Sequence, residues 1–109
     1  MAGPFAGGVP IMANYVPVID ARTFLVGVKG ESMTGAGLMP GDTLIVEKTA
    51  TAQDGDIVVA LVDDGYTVKR LARENRKVVL KPENKAYPVL RPDPVEIVGV
   101  VVGSFRRYR

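Results

Sequence analysis

Two residues in this 109-residue chain have the side chains and the setting to do covalent chemistry, Ser32 and Lys69. Ser32 lies in "KGESMTGAGLMPGD" (29–42), between an apolar run that ends at Gly30 and a glycine-rich bend. A serine at such a bend exposes its hydroxyl, and backbone N–H groups freed by irregular geometry can point at a developing oxyanion. The plainer alternative is a serine that caps a turn. A serine nucleophile needs a base, and the sequence contains neither histidine nor cysteine. Ser-His-Asp triads, Cys-His pairs, disulfides and the usual His or Cys metal sites are therefore excluded. The remaining strong base is a lysine held neutral by burial.

The stretch "GYTVKRLA" (65–72) reads as a strand, which puts Thr67, Lys69 and Leu71 on one face and Tyr66, Val68 and Arg70 on the other. One of Lys69 and Arg70 must face inward. Arginine keeps its charge at any accessible pH, whereas a lysine in apolar surroundings loses its proton, so Lys69 is the residue expected inside. The competing reading is an edge-strand lysine in solvent with Arg70 snorkelling. Other chemistries fit poorly. Asp54, Asp56, Asp63 and Asp64 sit at turns, and the glycines of 35–41 match neither a P-loop nor a dinucleotide fingerprint. No metal or cofactor is expected.

The elements that must position Ser32 and Lys69 are short strands. Six β-branched runs, at 24–30, 42–48, 56–64, 66–72, 77–82 and 95–107, are bounded by Gly, Pro, Asp and Asn. "DDGY" between the third and fourth predicts a hairpin turn with positive φ at Asp64 and Gly65. Residues 31–39 leave room for at most a short helical turn. With 12 glycines and 8 prolines among 109 residues, the predicted fold is mostly β, a curled antiparallel barrel-like or sandwich-like domain. Residues 1–13, "MAGPFAGGVPIMA", read as a flexible arm, and 14–109 as the single folded domain.

The net charge of +2 gives weak support to nucleic-acid binding. No apolar run approaches the roughly 20 residues of a membrane-spanning helix, and the N-terminus lacks signal-peptide features, so a soluble cytoplasmic protein is expected.

"GESM" (30–33), "GLMPGDTLIVEK" (37–48), "DGDIVVALVDDGYTVKRL" (54–71), "PEN" (82–84) and "VEIVGVVVGSFRR" (95–107) together resemble the self-cleaving domain of LexA-type repressors, a domain shared with UmuD-like and phage-repressor proteins. The resemblance runs through nearly the whole chain after residue 23, with Ser32 and Lys69 37 positions apart, as in the LexA and UmuD branches. It implies that Ser32 is the nucleophile and Lys69 the general base, with the backbone N–H groups of Ser32 and Met33 as oxyanion hole. It implies that the bond cut belongs to the protein itself, and that a RecA filament on single-stranded DNA promotes the cut without supplying catalytic groups.

The family's bond is typically Ala-Gly with a proline shortly after. In "AGGVPIMA" (6–13), aligning Pro10 places the bond at Gly7-Gly8, and matching the dipeptide places it at Ala6-Gly7. The stretch from Gly8 to Ser32 is shorter than its usual counterpart, which fits a natural variant, a truncated chain or a chain cleaved only in trans. The resemblance also implies a homodimer through the C-terminal strand, for which "EIVGVVVGSFRR" is suited as a long apolar strand that would be hazardous as a bare edge. Its alternative role is a central core strand. No recognition helix is legible, so the chain by itself is not expected to bind DNA. The rivals are a UmuD-like polymerase accessory subunit, a signal-peptidase-like processing enzyme, and a non-catalytic β scaffold.

Overall fold

The computed structural model describes residues 21–49, 51–63 and 65–108. Alternating and β-branched runs form six strands: β1 (Thr23–Gly27), β2 (Thr43–Lys48), β3 (Ile57–Val62), β4 (Gly65–Glu74), β5 (Lys77–Lys81) and β6 (Glu96–Phe105). A single 3₁₀ turn, Thr34–Ala36, interrupts them, so the mostly antiparallel β expectation holds. The strands form one sheet in the order β1-β2-β6-β3-β4-β5, open rather than closed into a barrel.

The C-terminal strand β6 is central, not an edge. It pairs with β2 from Gly99 to Phe105 and with β3 from Glu96 to Val100. Two bulges interrupt these ladders, leaving Val98 without a register partner opposite β3 and Val102 without one opposite β2. Bulges increase local twist and bend a strand. At Gly99 a Cβ would come within 2.6 Å of a Val46 methyl, so the close approach of β2 and β6 needs glycine there. The sheet curls enough that β1 and β4, separated by three strands in the order, line the same cavity.

The turns follow local stereochemistry. In the β3–β4 hairpin Val62 pairs with Gly65, so the loop is 63–64 and Gly65 already belongs to the strand. Positive φ falls on Asp63 (52°) and not on Gly65, a correction to the expected turn, while Asp64 lies outside the described residues. The β4–β5 hairpin turns on Asn75 and Arg76, with φ of 52° and 67°, the paired left-handed geometry that suits two-residue hairpin loops.

Side chains of β3 divide between two apolar clusters, as strand alternation requires. Val59 joins Met33, Leu38, Leu44 and Val46, and Val58 and Ala60 join Leu71 and Leu80. The first cluster anchors the segment that carries Ser32, through Met33 and Leu38. The second fixes β4, which carries Lys69.

Candidate active site

Ser32 sits in a turn built from both ends. Met33, the next residue, is buried in the first cluster and acts as the turn's apolar anchor. The 3₁₀ turn that follows ends at Gly37, whose φ of 84° is left-handed and whose N–H donates to Thr34 O at 2.9 Å. In the turn's backbone hydrogen bonds Ser32 and Met33 take part through their carbonyls. Ser32 O accepts from Glu83 N–H at 2.7 Å, and Met33 O accepts from Ala36 and Leu38 N–H at 3.0 and 3.2 Å.

Lys69 lies mid-strand on β4, in register with Val58 of β3, and is only 8% exposed. β4 runs between β3 and β5, so the edge-strand reading of Lys69 does not hold. Arg70 takes the opposite direction, its Nη1 donating to Gly55 O at 2.8 Å and its Nε standing 3.5 Å from a Glu83 carboxylate oxygen. Lys69 Nζ is 3.0 Å from Ser32 Oγ and 2.6 Å from Thr67 Oγ1. Among the described residues no ion pair involves Lys69, and burial pushes its pKa below the ordinary lysine value. The two residues singled out from sequence are thus brought together, and the amine is matched to hydroxyls rather than to an acid.

A cavity of about 300 Å³ opens on this pair, walled by Val26, Met33, Leu38, Val59 and Tyr66 among others. Tyr66 is 70% exposed, an aromatic placed at the rim rather than in the core. Val26, Val59 and Tyr66 also wall a neighbouring apolar hollow with Phe24 and Val98, so an extended apolar surface leads to Ser32. Such a pair can perform acyl transfer on a carbonyl that enters along that surface.

The sequence reading missed Thr67 as a partner of Lys69, although its position two residues away on the same face was the available signal. It also missed that Glu83 and Asn84 contact the Ser32 turn, and that Arg106 reaches Asp42, since nothing local links residues so far apart. Ala6, Gly7 and Gly8, the expected bond region, lie outside the described residues.

An apolar-walled β scaffold with a serine against a buried lysine has the character of a serine peptidase, and residues 5–102 match the Peptidase S24-like family, to which the chain belongs. A step closer, it is similar to the LexA repressor of Clostridium novyi, 46% identical over 101 residues that cover 91% of this chain and 49% of that protein. It is 44% identical to the LexA repressor of Syntrophotalea carbinolica over 121 residues (100% and 60% covered), and 38% identical to that of Clostridium kluyveri over 117 residues (97% and 58%). The chain therefore resembles the peptidase domain of LexA repressors and spans about half to three fifths of the length of these relatives. Among the described residues no helix is long and apolar enough to cross a membrane.

Proposed function

We propose that this chain is the self-cleaving and dimerisation domain of a cytoplasmic LexA-type SOS repressor, with Ser32 as nucleophile and Lys69 as general base. The observation that carries the reading is the 3.0 Å separation of Lys69 Nζ and Ser32 Oγ, with the amine buried and hydroxyl-matched. Neutral Lys69 accepts the Ser32 hydroxyl proton as Oγ attacks the carbonyl carbon of the scissile peptide bond. The negative charge that develops on the carbonyl oxygen is met by the N–H groups of Ser32 and Met33, which make none of the turn's backbone hydrogen bonds. The ammonium then returns its proton to the leaving amine nitrogen, the C–N bond breaks, and an ester on Ser32 remains. Water attacks that ester while Lys69 takes its proton, the ester C–O bond breaks as Lys69 passes the proton to Ser32 Oγ, and the acyl fragment leaves with a new carboxyl terminus.

The bond cut is Ala6-Gly7 or Gly7-Gly8, small residues that suit entry along a narrow apolar surface between Val26 and Tyr66. A RecA filament on single-stranded DNA acts as co-protease by favouring the state in which that segment occupies the site. Dimer formation uses β6, whose residues 101–104 have no β3 ladder on the side away from β2, β3 pairing ending at Val100.

The test is covalent labelling by a fluorophosphonate together with intact-mass measurement after incubation at alkaline pH. Wild type is expected to be labelled once and cleaved in the 6–8 region, and Ser32→Ala and Lys69→Ala to show neither. Labelling or cleavage of either variant at the wild-type rate removes the pair from the mechanism.

A further inference from the structure

The "PEN" segment, 82–84, is not explained by strand formation or by the acyl-transfer steps. It follows β5 directly, yet its long-range backbone hydrogen bonds go to no neighbouring strand but to the turn that carries Ser32, far away in sequence. Glu83 N–H donates to Ser32 O at 2.7 Å, and Glu83 O accepts from Gly35 N–H at 2.7 Å. Asn84 Nδ2 donates to Glu31 O at 2.8 Å and reaches Thr34 Oγ1 at 3.3 Å. Its Oδ1 accepts from Ala86 N–H at 2.9 Å, which fixes the amide's orientation. The brace therefore grips residues 31, 32, 34 and 35, on both flanks of the serine.

We infer that Asn84, working through this brace, is a positioning residue that sets Ser32 Oγ against Lys69. The turn has little stiffness of its own, being one 3₁₀ turn with Gly30 and Gly37 in left-handed φ and Gly35 within it. The brace supplies stiffness from the sheet that holds the base. In the β4–β5 ladder Arg70, next to Lys69, pairs with Lys81, and the chain runs from Lys81 into Pro82, Glu83 and Asn84. Arg70 also holds the Glu83 carboxylate. Base and nucleophile, 37 residues apart in sequence, are thus referred to one strand pair. Gly35 is required by the same contact, because a Cβ there would fall well inside contact distance of Glu83 O.

Loss of the brace lets Oγ drift from the amine, and displacements near 1 Å cost on the order of a hundredfold in rate. Lys69 keeps its place on β4, and its lowered pKa is caused by burial rather than by the contact with Ser32 Oγ.

This inference rests on the serine-lysine reading, and the experiment separates the two. The rate of fluorophosphonate labelling is followed across pH for wild type, Asn84→Asp and Ser32→Ala, well below each melting temperature. Asn84→Asp keeps the shape and the acceptor for Ala86 but loses both donors to the turn. Its plateau rate is expected to fall about ten- to a hundredfold with the midpoint of the pH profile unmoved. Should Asn84→Asp not fold, Thr34→Ala, which removes one end of the same contact, decides the matter with an expected two- to tenfold fall. A wild-type plateau in whichever folded variant is measured overturns the positioning role, as does a displaced midpoint, while an unlabelled wild type overturns the peptidase reading itself.

Discussion

Thr67 Oγ1 stands 2.6 Å from Lys69 Nζ, on the same face of β4 and two residues away. A neutral amine has two N–H groups and one lone pair, so an N–H given to Thr67 restricts rotation about the Cε–Nζ bond and turns the lone pair toward Ser32 Oγ. Thr67→Val keeps the shape and removes the acceptor. Its labelling rate at saturating alkaline pH is expected to fall about tenfold, with Thr67→Ser recovering most of the loss. Equal rates for the two variants would leave Thr67 without a part in aiming the amine.

The pH dependence follows from the sign of the Lys69 shift. Burial lowers its pKa, so the folded protein holds that proton less tightly than the unfolded chain does. If neutral Lys69 is the base, activity is expected to rise with pH through the lowered pKa and then level off, with its midpoint below the 10.5 of an ordinary lysine. A rate that instead rises only near 10.5 would mean an amine in ordinary solvent contact.

The same shift has a cost in stability. Below the folded pKa the buried amine is charged and the desolvation penalty is fully felt; the penalty shrinks as pH rises from the folded pKa toward 10.5, where the unfolded lysine also loses its proton. Lys69→Met replaces the amine with an apolar side chain of similar length. It is expected to be inactive yet to melt several degrees above wild type at pH 6, with the gap narrowing as pH increases. Scanning calorimetry over pH 6–10 checks both the sign and the trend. A variant that melts lower at every pH would show that the hydroxyl contacts of Lys69 outweigh its desolvation.

Asp42, which with Lys69 makes up the buried polar or charged residues among those described, is paired with Arg106. The carboxylate is buried, and Arg106 Nε and Nη2 approach its two oxygens at 2.6 and 2.8 Å while Nη2 also reaches Gly37 O at 2.9 Å. Met39 N–H adds a third donor to the carboxylate at 2.8 Å. The Arg106 hydrogen bonds, opposed by burial, hold the Asp42 carboxyl below its ordinary 3.8. A lowered carboxyl pKa contributes stability that is present above 3.8 and lost as pH falls through the folded value. Arg106→Gln is expected to lower Tm by several degrees at pH 7 and to bring the onset of acid unfolding to higher pH, read by circular dichroism. An unchanged acid limb would mean that the Met39 N–H suffices for the carboxylate.

Much of the site is legible in residue types alone. The absence of histidine and cysteine leaves lysine as the candidate base, two-residue alternation sends either Lys69 or Arg70 inward, and the permanent charge of arginine favours Lys69, which is the one found buried. The six strands lie within a few residues of their expected spans because β-branched runs and their Gly, Pro and Asp borders are local signals. What depends on strand order is not legible. An apolar strand such as β6 reads the same whether it ends a sheet or bisects it, and its central place is set by pairing with β2 and β3. The grip of Asn84 on Glu31 spans 53 residues and that of Arg106 on Asp42 spans 64, and no periodicity encodes such contacts. Asn75 and Arg76 form a hairpin loop without glycine, so no glycine marks the end of β4, which runs to Glu74 rather than stopping at Ala72.

β6 is enclosed by its neighbours over only part of its length. Only at Gly99 and Val100 is it in register with β2 and β3 at once, and from 101 to 104 the side facing away from β2 has no ladder with β3. Val102, in the bulge of this stretch, is 51% exposed, an apolar side chain beside a strand edge that has no ladder on that side among the described residues. Two copies related by a two-fold axis would add their 101–104 edges antiparallel to each other and bring the two Val102 side chains close together. Val102→Lys then sets like charges against one another in the dimer while leaving the monomer's core intact, since Val102 belongs to neither buried cluster. Sedimentation is expected to show dimerisation weakened at least tenfold, with wild-type circular dichroism and wild-type labelling of Ser32. Undiminished dimerisation of this variant would move the contact surface away from β6.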